Sequence, residues 1–203
     1  MMVRIKICGI TNLADALKSQ ELGAHALGFN FYPKSPRYIT KEKAKKIIKM
    51  LPPFIVTVGV FVNEDIDEIN NIIEYTGIEV VQLHGYETQD YCSKFSLPVV
   101  KTLRINDKND LKYINSYKVS AFLLDSYSKG YGGSGKSFDW EIAIGAKRYG
   151  NIILAGGLNE KNILEAIKRV KPYGVDVCSG VEKAPGKKDH DKLERFINIV
   201  KGL

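Results

Sequence analysis

Eight short runs of apolar, largely β-branched residues recur along the chain, and longer stretches with helical spacing separate them. The runs cover residues 3–8, 24–30, 55–61, 79–84, 98–104, 121–125, 151–155 and 174–178. Strand and helix in alternation specify βα units whose strands lie parallel in one sheet. Each run is apolar almost throughout rather than at every second position, as expected for strands covered on both faces. The stretches between them begin near residues that cap helices. Asn12 opens residues 12–22, Thr40 precedes a lysine-rich segment, Asn63 precedes residues 65–75, and Asn159 precedes residues 163–170.

Right-handed crossovers place successive parallel strands side by side, and eight of them close into a (β/α)8 TIM barrel. The alternative, an open doubly wound sheet, is disfavoured because Cys8, Gly9, Ile10 and Thr11 do not form a dinucleotide-binding turn. The expected organisation is one catalytic domain over residues 1–203, with no linker dividing it. Hydrophobic residues at 44% and charged residues at 26% exclude a disordered chain. No apolar run reaches membrane-spanning length and the first residues lack the order of a signal peptide, so a cytoplasmic protein with no membrane partner is expected. Cys8, Cys92 and Cys178 lie far apart with no CxxC pair, which predicts free thiols and no bound metal. The formal charge is +7, but its lysines are spread over many segments with no arginine-rich tract. That pattern predicts a solvated basic surface and no nucleic-acid partner, while the positive field favours anionic small molecules.

In a barrel the active site is built at the carboxyl ends of the strands. Cys8, His84, Arg104 and Asp125 end the first, fourth, fifth and sixth runs, and Asp176 lies within the eighth. Strands one and six are expected on opposite sides of the ring, where Cys8 and Asp125 would meet a substrate together. A thiolate accepts a carbon-bound proton and a carboxylic acid donates one to oxygen, so the pair suits acid-base chemistry. Taken alone, Cys8 reads more readily as a small buried hydrophobe than as a base, and Asp125 equally well as a structural hydrogen-bonding group. Gly156 and Gly157 follow the seventh run, and Ser179 and Gly180 follow the eighth. Loops at those two places form the usual phosphate grip of this architecture, which predicts a phosphorylated small-molecule substrate. The glycine-rich residues 131–136, ending in Lys136, read as a lid or as a plain surface loop. Arg37 stands in a loop stiffened by Pro33 and Pro36, and its planar fork matches a carboxylate. His25 and His190 lie away from the strand ends and read as structural.

At these residues the sequence resembles the phosphoribosylanthranilate isomerase family over essentially its whole length. The likeness is carried by residues 6–11, 35–37, 82–85, 124–126, 132–135, 154–158, 175–182 and 185–189, in the family's order. It implies an Amadori rearrangement of N-(5-phosphoribosyl)anthranilate without a cofactor. It further implies Asp125 as general acid and Cys8 as general base. Arg37, with His84 and Asp176, would bind the substrate, and Gly156, Gly157, Ser179 and Gly180 its phosphate. One departure is Cys178, where the family usually has a serine, so that a second thiol is expected near the site. Another phosphosugar-processing barrel enzyme and a non-catalytic phosphate or nucleic-acid binding protein are the alternative readings. Monomer and homodimer both stay open.

Overall fold

The computed structural model describes residues 2–126 and 138–203. Its strands are β1 (Arg4–Cys8), β2 (Ala26–Asn30), β3 (Val56–Phe61), β4 (Val80–Leu83), β5 (Val99–Ile105), β6 (Ala121–Ser126), β7 (Ile152–Leu154) and β8 (Gly174–Val177). All neighbours pair in parallel, and β1 pairs with β8 as well as β2, so the sheet is a closed ring. This is the eight-stranded barrel that the alternation of runs predicts.

Side chains along each strand alternate between the ring's interior and its helical jacket. Val100, Ala121, Leu123 and Ala155 form one buried cluster, and Val80 and Ile153 pack against it. The intervening residues, among them Ile5, Ile7, Leu27, Phe29, Leu124 and Val175, belong to the larger core under the helices. The same alternation puts Lys6 and Cys8 on β1, and Asp176 on β8, toward the interior.

Helix α1 (Leu13–Leu22) starts where expected: the Oδ1 of Asn12 accepts the N–H of Asp15 at 2.9 Å. It stops at Gly23, whose φ of 105° lies in the left-handed region that ends helices. Thr40 likewise caps α2 (Lys41–Ile48). The cap of α3 (Ile66–Thr76) is Asp65, not Asn63. Asn63 instead has a φ of 46° and accepts the N–H of Tyr86 through Oδ1 at 2.7 Å, which ties two neighbouring loops together. A single turn, α4 (Gln89–Cys92), follows β4.

After β5 the jacket departs from expectation. Two 3₁₀ turns, Lys108–Leu111 and Ile114–Ser116, replace the helix that strict alternation predicts. Asp107 and Asp110 form a reciprocal capping box on the first turn, and of these seven residues only Ile114 is buried. A segment with one buried apolar anchor lacks the stripe that holds a longer helix on a barrel.

The remaining helices are α5 (Trp140–Ala146), α6 (Ile163–Val170) and α7 (His190–Lys201). In α6 the buried residues Ile163, Ala166, Ile167 and Val170 follow the spacing of one helical face. Each of its buried isoleucines contributes roughly 1.5–3 kcal/mol through burial. Asn159 stands before the actual start of α6, where its Nδ2 donates to the Gly157 carbonyl at 3.0 Å. Between β8 and α7 a small hairpin, β9 (Glu182–Ala184) with β10 (Lys187–Lys188), folds over the barrel end. No helix among the described residues is long and apolar enough to cross a membrane.

Candidate active site

Cys8 is the last residue of β1, and Asp125 is the penultimate residue of β6. The ring order places β7 and β8 between these strands. They are therefore three steps apart rather than diametrically opposed, which corrects the expected placement. Both side chains nevertheless border one pocket at the carboxyl ends of the strands. Arg37, His84, Asp176, Gly156, Gly157 and Ser179 border it too.

Charge beneath the pocket is arranged around Cys8. Lys6 lies two residues back on the same strand face, and its Nζ contacts Asp176 Oδ1 at 2.8 Å. The Cys8 thiol sits well below its ordinary pKa. The hydrogen bond from Cys178 contributes most, and the Lys6 and Lys188 cations add to it against the opposing effect of burial. Burial pushes Asp176 up to about 6, although Lys6 beside it works in the other direction. A thiol that ionises easily at the mouth of a barrel is poised to accept a proton.

His84 lies just past the end of β4, with Nε2 3.4 Å from Asp125 Oδ2. That contact is not a hydrogen bond, and His84 Nε2 and Gln82 Oε1 are both buried polar atoms without a hydrogen-bond partner among the described residues. Gln82 Nε2 meets His84 Nδ1 at 3.3 Å and donates to Thr102 at 3.4 Å. Unpaired polar atoms at the wall of a pocket mark where a polar ligand is received.

Arg37 reaches the pocket from the loop after β2, as the stiffened segment predicts. Its guanidinium is already half engaged: Nε donates to Glu182 at 3.0 and 3.1 Å and Nη2 donates at 2.7 Å. The Nη1 edge is the part of the fork left for a ligand. Glu182 also receives Lys188 Nζ at 3.1 Å, and that ammonium donates to the carbonyls of Cys8 at 2.5 Å and Cys178 at 3.4 Å. Arg37 and Lys188 hold the Glu182 carboxyl below its usual range despite its burial.

The two glycine-bearing loops differ in what their glycines do. Gly156 and Gly157 have φ of 78° and 68°, and a Cβ at Gly156 would stand 2.4 Å from the Ser126 nitrogen. Gly180 does not border the pocket. A Cβ there would fall 2.0 Å from the Leu158 carbonyl oxygen, so its role is to let the β8 loop press against the β7 loop. Arg104, the penultimate residue of β5, turns to the Tyr86 ring at 4.6 Å and does not border the pocket. His25 accepts the Ile5 N–H at Nδ1, and His190 contacts Asp15 at 2.8 Å, both away from the pocket. The 131–136 segment lies outside the described residues.

Sequence reasoning missed Lys6, Glu182 and Lys188. Lys6 carried a signal, since a lysine inside a buried apolar strand requires an anionic partner. Glu182 and Lys188 lie in segments that carry the family likeness, but no local pattern gives them a role, because only the hairpin between β8 and α7 brings them under Arg37 and Cys8. No group of three or more histidine, cysteine or acidic residues among the described residues is arranged to hold a metal.

Residues 5–199 match the family described as N-(5'phosphoribosyl)anthranilate (PRA) isomerase. An N-(5'-phosphoribosyl)anthranilate isomerase from Pelobacter propionicus is 52% identical over 98% of this chain and 96% of its own length. The phosphoribosyl anthranilate isomerase of Thermotoga maritima superposes with a TM-score of 0.95 at 48% identity, covering all of both chains. A form of that protein described as monomers generated from a dimeric enzyme gives 0.91 at 44% identity, again over all of both chains. Another solved isomerase holds reduced 1-(o-carboxyphenylamino)-1-deoxyribulose 5-phosphate, and it superposes with a TM-score of 0.91 at 45% identity over all of both chains.

Proposed function

The chain belongs to the N-(5'-phosphoribosyl)anthranilate isomerase family and catalyses that isomerisation in tryptophan biosynthesis, and we propose that Cys8 and Asp125 carry its proton transfers. Asp125 donates a proton to the ribose ring oxygen, and the furanose opens to an iminium. The iminium acidifies the neighbouring carbon, whose proton passes to the Cys8 thiolate. The resulting enolamine tautomerises to the ketone. The observation that carries this reading is the single pocket bordered by an easily ionised thiol, a carboxyl group and two glycine-bearing loops.

Three anchors hold the substrate in this reading. The free edge of Arg37 takes the anthranilate carboxylate, His84 and Asp176 flank the sugar, and the backbone of Gly156, Gly157 and Ser179 takes the phosphate, with Gly180 letting the two loops approach closely. The ligand in the related structure has the same three parts, a carboxylate, a sugar and a phosphate. Fixing both ends of the substrate supplies orientation, and the pair between them supplies general acid-base catalysis.

Replacement of Cys8 by Ala, or Asp125 by Asn, should lower kcat by about 10²–10⁴-fold while the fold persists. Fluorescence loss of phosphoribosylanthranilate made in situ reads the turnover, and circular dichroism reads the fold. Near-normal kcat in both folded variants would overturn the assignment.

We read residues 1–203 as one catalytic unit of a reducing, cytoplasmic compartment, in keeping with the three free thiols. We also read the chain as a homodimer. Phe54 is 97% exposed in the loop before β3, beside an apolar cavity at the amino-terminal mouth of the barrel. The Thermotoga maritima relative is described as dimeric.

A further inference from the structure

Cys178 exchanges no proton with the substrate in the reaction described above, yet it lies next to the residue that does. β1 and β8 pair with Ile7 opposite Val177, so the following residues, Cys8 and Cys178, are neighbours across the same ladder. Adjacent strands lie about 4.8 Å apart. That spacing falls within the roughly 4.4–6.8 Å between Cα atoms that a disulfide spans. Cys8 shares the interior phase with Lys6, and Cys178 shares it with Asp176, so both thiols start from the same side of the ladder.

Glycines leave room for both sulfurs. A Cβ on Gly9, the residue after Cys8, would stand 2.9 Å from Cys178 Sγ, and a Cβ on Gly28 would stand 2.8 Å from Cys8 Sγ. The two thiols act on each other's ionisation, Cys8 being pushed down and Cys178 up. Lys188 clamps the two backbone carbonyls from below. Both residues border the pocket, which gives a small reagent a route to them. Cys92, by contrast, is 3% exposed and borders no pocket described above, and burial pushes its thiol up to about 11.

We propose that Cys8 and Cys178 form a dithiol site for small peroxides, which convert it to an internal disulfide that reversibly shuts off the isomerase. The Cys8 thiolate attacks a peroxide oxygen and the O–O bond breaks, leaving a sulfenic acid on Cys8 and hydroxide. Cys178 sulfur then attacks the Cys8 sulfur, the S–O bond breaks, and the second hydroxide takes up the proton from Cys178. Two thiols are oxidised to one disulfide, and hydrogen peroxide is reduced to two waters. Because substrate fills the same pocket, turnover conditions slow the oxidation.

The loss of activity rests on Cys8 being the base, whereas the bond itself does not, so two readouts separate them. The reduced wild-type protein is treated with hydrogen peroxide, quenched in acid, alkylated and digested. The proposal predicts a cross-linked peptide joining Cys8 to Cys178, with Cys92 the remaining alkylated thiol. Activity should fall in step with the cross-link and return on addition of dithiothreitol. In Cys178→Ser the cross-link is absent, and lost activity does not return because Cys8 proceeds to higher oxides. Oxidation that leaves Cys178 alkylatable in the wild type, or joins Cys8 to another thiol, would overturn the proposal. A Cys8 to Cys178 bond with full turnover would uphold the dithiol site and overturn Cys8 as the base.

Discussion

Lys6 supplies the larger of the two cationic contributions that help Cys8 to ionise, after the contribution of Cys178. It stands on the interior face of β1 with Asp176 at 2.8 Å, and its charge helps the neighbouring thiol to ionise. A base with a lowered pKa keeps its activity down to lower pH, so the acid limb of kcat/KM reports on it. Removing the Lys6 charge raises the Cys8 pKa and must move that limb to higher pH. Lys6→Met is expected to shift it upward by about one unit, equivalent to about 1.4 kcal/mol. Asp176, already pushed up to about 6, absorbs the loss of its partner by taking up a proton. A pH profile that stays in place would contradict the electrostatic role of Lys6. At this scale Cys8 and Asp125 were legible because polar residues at the ends of apolar strands stand out. Lys6 was visible as a charged residue in such a strand, but its partner lies 170 positions away and no local pattern points to it.

The elements were legible in proportion to how local their causes are. Asn12 and Thr40 cap helices through residues three positions ahead, and both caps form as their spacing implies. Asn63 reads like a cap, but its side chain finds Tyr86 in the next loop and the shorter-range Asp65 takes the role. The missing helix after β5 follows from composition, since that stretch offers one buried anchor where α6 offers four. The loop between α2 and β3 carries an element-scale consequence. Its Phe54 is 97% exposed, so Phe54→Asp should leave the fold intact and separate the proposed homodimer. Sedimentation velocity reads this directly: a wild-type dimer and a variant monomer are expected. A wild-type protein that sediments as one chain would remove the dimer from the account.

At the scale of the whole molecule, ring closure brings the site together. β1, β6, β7 and β8 are consecutive around the barrel only because β8 pairs back onto β1. That closure gathers Cys8, Asp125 and both glycine-bearing loops into one pocket, although 117 positions separate the first two in sequence. The barrel itself was legible from eight apolar runs. The three-step separation of β1 and β6 and the hairpin carrying Glu182 and Lys188 needed the closed structure. A crystal structure of this chain with a reduced, non-isomerising product analogue tests the arrangement most directly. The account predicts the second sugar carbon about 3–3.5 Å from Cys8 Sγ. It also predicts Asp125 hydrogen-bonded to the oxygen that closes the furanose ring, and the phosphate seated between the loops after β7 and β8. A ligand bound with that carbon beyond the reach of Cys8, or with its phosphate outside those loops, would contradict it.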